Sequence, residues 1–218
     1  KFILLSTVLS TFSLSDIYEG YTLYTPSGQG NNITTYLRDS DWNIINTWSH
    51  DCGAASMPYL VRTDEPGLEN SLLYYPCQNN NPIMTSGGVG GEIKIYNWEG
   101  DLLWSYRVSG VLDGATSNNA MQHHHDIEPL PNGNVLIIAW ERLYSGEWQS
   151  LGVDGVNNSL NQMWSSAILE IEPNLDTGGA EIVWEWYLKN HLIQDIDSSL
   201  DNYGIISDHP ELMDANCG

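Results

Sequence analysis

The sequence predicts an all-β protein built of repeated four-stranded units, the organisation of a β-propeller. Three observations predict it. The chain carries nine Trp and twelve Tyr, and aromatics pack well on a pleated, half-buried surface. It is poor in Lys and Arg, and the Ala, Leu, Glu, Lys and Arg mixture of long helices is missing. Finally, one local pattern occurs three times: an alternating apolar strand, a turn rich in Asp, Asn or Gly, then a second apolar strand ending in Trp.

In chain order, the first candidate element is not a strand. Lys1 supplies a positive region, Phe2 to Leu14 an apolar one, and Ser13 and Ser15 are small residues before Asp16. This reads as an export signal over residues 1–15, too short to span a bilayer. A buried first strand is the alternative. No other stretch is long and apolar enough for a membrane helix. The protein is therefore expected to be secreted or periplasmic, with residues 16–218 forming the folded part.

The three copies of the Trp hairpin are TTYLRDSDWNIINTWSH from Thr34, GEIKIYNWEGDLLWSYR from Gly91 and SAILEIEPNLDTGGAEIVWEWYL from Ser166. They end near Trp48, Trp104 and Trp184. Between them lie MPYLVRTDEPGLENSLLYYP and HDIEPLPNGNVLIIAWER, a second kind of hairpin. In the latter, Pro131 presets φ and Gly133 accepts the positive φ that a tight turn demands. Two hairpins make a four-stranded unit, as in a propeller blade. A β-sandwich is the structural alternative; recurrence of the unit with its Trp favours the propeller. At roughly 40 to 50 residues per blade, residues 16–218 hold about three to four blades. A fragment of a longer ring is expected; a complete chain would need another copy of itself to close one. The long loops around Ser117 and between Leu143 and Met163 are places for function.

Cys52 and Cys77 flank the MPYLVRT–LLYYP hairpin and are expected to pair in an exported protein, contributing roughly 3 kcal/mol. Cys217 is left over. The net charge of −21 repels phosphate backbones, so nucleic acid is not an expected partner.

Half of the six histidines stand together in MQHHHDIEPLPNGN. Strand alternation would aim His123 and His125 one way and His124 the other, and Asp126 could orient a neighbouring imidazole. A hydrogen-bonded strand-edge cluster is the plain alternative. A metal site would need His124 or His125 with His191, His209 and a carboxylate; no HExxH spacing exists, and the metal-free reading ranks higher. Asp195, Asp197 and Asp201 depart from the calcium-loop pattern and read as a solvated acidic loop. Arg142, Arg62 and Arg107 end strands. Each could bind an anionic substrate through its guanidinium fork, but a salt bridge is the plainer role, for Arg142 with Glu141 or Glu147. GGVGG at residues 87–91 reads as a flexible inter-blade loop. No nucleophilic-serine elbow, phosphate loop or dinucleotide fingerprint appears.

The run QHHHDIEPLPNGNVLIIAWE, preceded by IYNWEGDLLWSYR, resembles the aryl-sulfate sulfotransferases of bacteria. WEWYLKNHLIQDIDSSLDNYGIISDHPELMD is similar to a segment of secreted members of that family. The resemblance runs from about Tyr36 to Asp214. It implies a six-bladed propeller with a central funnel-shaped site and no cofactor. The family moves a sulfuryl group from a phenolic sulfate ester to a phenol acceptor. One histidine is transiently sulfated, while other histidines and an arginine hold the sulfate and activate the phenol. His125, or His124, matches the family's His-His-Asp histidine; His191 and His209 match further family histidines. Arg142 is the candidate substrate-binding cation, but it does not match the family's arginine. The family's later Trp-x-His-x-Asn-Ser unit and the sulfated histidine are absent. The chain alone is thus expected to hold the first part of the site and to transfer nothing by itself. A non-catalytic secreted binding or adhesion propeller and a metal-binding hydrolase are the other readings.

Overall fold

The computed structural model describes residues 19–27, 33–78, 80–85 and 87–217; the expected export signal lies outside them. The described chain is all-β apart from one short helix, α1 (Ser145–Ser150), and three single 3-10 turns. No helix among the described residues is long and apolar enough to cross a membrane.

Three antiparallel sheets follow one another along the chain. The first holds β1 (Thr22–Tyr24), β2 (Ile33–Arg38) and β3 (Ile44–His50) in sequence order. The second is the meander β4 (Tyr59–Val61), β5 (Leu72–Gln78), β6 (Gly91–Tyr96) and β7 (Leu102–Arg107). The third starts at β8 (Ser109–Gly110) and runs through β9 (Met121–Pro129), β10 (Val135–Leu143), β11 (Met163–Pro173) and β12 (Ala180–Tyr187). A small parallel pair, β13 (Leu192–Ile193) with β14 (Met213–Asp214), ties down the last loop. All five hairpins expected from the sequence form: β2–β3, β4–β5, β6–β7, β9–β10 and β11–β12. They combine in pairs into four-stranded units in the second and third sheets.

Four of these hairpins turn alike. The first turn residue donates its N–H to the carbonyl of the last, and its carbonyl accepts from the residue at positive φ. Asp39 to Asn43, Asn97 to Asp101, Leu130 to Asn134 and, one residue longer, Asn174 to Gly179 follow this rule. The positive-φ place is filled by Gly100, Gly133 and Gly178, but by Trp42 (φ 68°) in the first. Only a residue without a Cβ takes that conformation freely.

Period-two alternation puts one face of each sheet against the next. Leu37 and Trp48 of the first sheet pack on Leu73, Tyr75 and Tyr96 of the second. The opposite face of the second sheet (Tyr74, Ile93, Ile95, Trp104) packs on Ile127, Val135, Ile137, Ala139, Ala167, Leu169 and Ile171 of the third. The marker tryptophans join sheet to sheet. Trp48 Nε1 donates to the Asn97 carbonyl (2.8 Å) in the last turn of the second sheet. Trp104 Nε1 donates to the Gly179 carbonyl (2.7 Å) in the last turn of the third. The Cys52–Cys77 disulfide forms, linking the segment after β3 to β5; Cys217 is free and exposed.

Candidate functional site

The histidine triplet sits where the β9–β10 ladder breaks. His123 pairs with Ala139 and Ile127 with Ile137, so His124, His125 and Asp126 together oppose Ile138 alone. This is a bulge, and it overturns the alternation expected for the triplet: the rings of His124 and His125 come side by side, 4.2 Å between centroids. Bulges re-aim side chains in this way and are common beside functional sites. The His124 ring also lies 3.9 Å from that of Trp140 on β10.

His123 holds the bulge. It is fully buried. Its Nδ1 accepts from the Gly91 N–H (3.3 Å) and its Nε2 donates to the Asp126 carbonyl (2.9 Å). Those partners assign the neutral Nε2–H tautomer. Burial, reinforced by the neighbouring His125 and His124, depresses its pKa to about 4. The Asp126 carboxylate does not orient His125, as the sequence suggested; it accepts instead from the Tyr59 hydroxyl (3.3 Å). Orientation comes from the Asp126 backbone and goes to His123. The pKa of His124 is lowered by burial first and then by His125, so at neutral pH it is a proton acceptor.

The glycine-rich run is not an inter-blade loop. It ends the connection between β5 and β6 of the second sheet and lies on the histidines. Gly90 N–H donates to the His123 and His124 carbonyls (3.1 and 2.6 Å). A Cβ at Gly88 would strike the His125 ring, and one at Gly90 the His123 ring; at Gly87 it would lie 3.2 Å from Trp140. Gln122, also fully buried, accepts from the Ile83 N–H and donates to the Gly90 carbonyl. The glycine spacing was visible in the sequence; that it faces histidines 33 to 37 positions away in another sheet was not.

The other candidates lie apart. Arg142 is at the far end of β10, which the antiparallel register brings to the same sheet end as Met121. The ion pair with Glu141 or Glu147 does not form. Neighbours on a strand point to opposite faces: Glu141 turns inward to Lys189, Ser117 and Asn119, and Glu147 binds Asn119 and the Tyr144 N–H. The Arg142 guanidinium stacks on Tyr144 (5.1 Å) and Trp164 (5.8 Å), and its Nε is buried without an acceptor among the described residues. His191 stacks on Trp186 (4.8 Å). His209 is exposed and pairs with Glu211 (3.0 Å). Among the described residues no group of three or more His, Cys, Asp or Glu is placed to hold a metal ion. Asp197 caps its own loop by accepting from Ser199.

Fold and site together define an all-β protein of successive antiparallel sheets with a histidine-bearing bulge at the junction of two of them. No family model, curated protein or solved structure matches the chain.

Proposed function

We propose that the chain carries the His-His-Asp part of an aryl-sulfate sulfotransferase site on an exported propeller. One observation carries the reading: the bulge sets His124 and His125 side by side against Trp140, with His124 biased to the neutral form. Trp140 offers an aromatic face to a phenol ring. A neutral imidazole beside it can take the phenol proton, and a protonated one can donate to sulfuryl oxygens. In the transfer, the ester S–O bond to the donor phenol breaks as a histidine nitrogen binds sulfur. The departing phenolate takes a proton from protonated His125 or His124; the S–N bond then breaks as the acceptor oxygen binds sulfur, and that imidazole, now neutral, takes the acceptor's proton. The sulfated histidine itself is not assigned among the described residues. The disulfide supports an exported protein.

The test is sulfotransfer from phenyl sulfate to a phenol by the full-length protein. His125→Ala is expected to lose activity by about 100-fold or more, and His209→Ala to keep it. An inactive wild type, or full activity in His125→Ala, overturns the reading. A binding propeller is the second reading, favoured because no hydrogen bond, ion pair or ring contact among the described residues joins Arg142, His191 or His209 to the paired histidines; they engage Trp164, Trp186 and Glu211 instead. It predicts phenyl sulfate binding, seen as shifts of the His124 and His125 ring resonances, without turnover.

A further inference from the structure

A fully buried carboxylate gathers a lysine and an asparagine inside the third sheet, away from the histidines. Glu141 lies on the inward face of β10, paired with Met121 on one side and Ser165 on the other. Three groups converge on its Oε1: Lys189 Nζ at 2.5 Å, Asn119 Nδ2 at 3.3 Å and the Ser117 hydroxyl. Its Oε2 is buried with no partner among the described residues. The same asparagine amide is held from a second side by Glu147 Oε1 (2.8 Å). Lys189 Nζ lies 5.0 Å from the centre of the buried Tyr187 ring, and the lysine side chain is only 23% exposed. A buried ion pair returns less than its desolvation costs unless its remaining lone pairs are bonded, and here one oxygen is not. Passing the proton from Lys189 to Glu141 discharges the pair. It leaves a neutral amine, a good nucleophile, sharing one carboxyl oxygen with the amide of Asn119.

We propose that Lys189 and Asn119 react with each other to form an amide cross-link between their side chains, with Glu141 carrying the protons. Lys189 gives a proton to Glu141, and the freed lone pair forms a bond from Nζ to Asn119 Cγ. Glu141 then protonates Nδ2 and takes a second proton from Nζ. The Cγ–Nδ2 bond breaks, and ammonia leaves. No oxidant, cofactor or water is consumed. The fold supplies the proximity that an amine and an unactivated amide need. The bond joins the segment leading into β9 to the 3-10 turn after β12 (Leu188–His191). In the sheet order β12-β11-β10-β9-β8 it therefore spans from one edge region to the other, beneath β10. Like a disulfide, it restricts the unfolded chain, but reduction does not open it. The cross-link is independent of the sulfotransfer reading.

The test is peptide mapping of the full-length protein, folded and then reduced, denatured and cut with trypsin, by mass spectrometry. Trypsin cuts after Arg107, Arg142 and free Lys189. Wild type is expected to show residues 108–142 joined to the peptide that begins at Leu143, uncut after Lys189. The joined mass is expected to fall below the sum of its two parts by one ammonia. Lys189→Arg and Asn119→Ala are expected to give separate peptides. Asn119→Asp is expected to restore the link with loss of water in place of ammonia. Glu141→Gln, checked for a native near-ultraviolet dichroism spectrum, is expected to fold without linking. The wild-type map decides the bond by itself, and separate peptides there overturn the proposal. So does a wild-type link formed with loss of water, which would be a Lys189–Glu141 amide. Ammonia lost from residues 108–142 alone, the mark of a cyclised asparagine, also overturns it, as does a link that persists in Asn119→Ala or Glu141→Gln.

Discussion

Two histidines outside the paired cluster's chemistry govern how the protein responds to acid. His123 is fully buried, and His50 is 7% exposed, stacked on Tyr75 at 3.6 Å with its Nε2 on Thr35 at 2.8 Å. Burial depresses both to about 4; Lys94 adds to the effect at His50. In the unfolded chain each returns to about 6.5. The unfolded state therefore binds more protons below that value. The stabilisation is complete above about pH 6.5 and is lost progressively as pH falls to about 4, on the order of 3 kcal/mol per histidine. Urea midpoints measured from pH 7 to pH 4.5 are expected to fall, and His50→Gln is expected to flatten the slope by roughly half. Trp42 makes a second residue-level case. Its φ of 68° suits glycine, so Trp42→Ala and Trp42→Gly lose the same ring but differ in backbone strain. Trp42→Ala is expected to be less stable than Trp42→Gly by about 1 kcal/mol in denaturant unfolding. Neither feature was legible in the sequence. The turn residues of DSDWN were plain, but nothing local says that the fourth takes the left-handed conformation. His50 stood alone at the end of a strand with no neighbour to mark it.

At the scale of the element, the hairpins were legible because their signal is local: period-two alternation and turn chemistry within some twenty residues. The bulge in β9 was not, because its cause lies in another sheet. His123 is pinned by Gly91, and Gly90 donates to two successive carbonyls of the strand. Those bonds draw β9 out of register, so alternation mispredicts where His124 and His125 point. Each glycine at this contact answers to a different histidine, which separates stability from geometry. Gly90→Ala drives a Cβ into the buried, doubly bonded His123 ring and is expected to cost roughly 2 kcal/mol or more. Gly88→Ala meets the half-buried His125 ring, which can swing away. It is expected to leave the unfolding midpoint within about 0.5 kcal/mol of wild type while shifting the His125 ring resonances. Equal destabilisation by both would show that the loop, not the ring facing it, sets the cost.

On the scale of the whole molecule, the sequence showed repeated units but not how they are joined. The marker tryptophans were visible as a recurrence; their work, an indole hydrogen bond into the turn of the next sheet, needs the three-dimensional offset between sheets. The disulfide was legible from the flanking hairpin, but its place at a junction was not. It binds the segment after β3 to β5, alongside the Gly53–Gln78 and Ala55–Pro76 backbone bonds and the Tyr75 hydroxyl on the Cys52 carbonyl. The first sheet is otherwise held to the second by a small core, while the second and third share a larger one. Reduction is therefore expected to cost about 3 kcal/mol unevenly. The loosened unit is the first sheet, because only that junction loses a covalent tie. Hydrogen exchange of the reduced protein should show β2 and β3 amides exchanging faster, with β10 and β11 amides unchanged. Uniform acceleration across all three sheets would mean that they unfold as one unit and that the Trp48 junction is no weaker than the Trp104 junction.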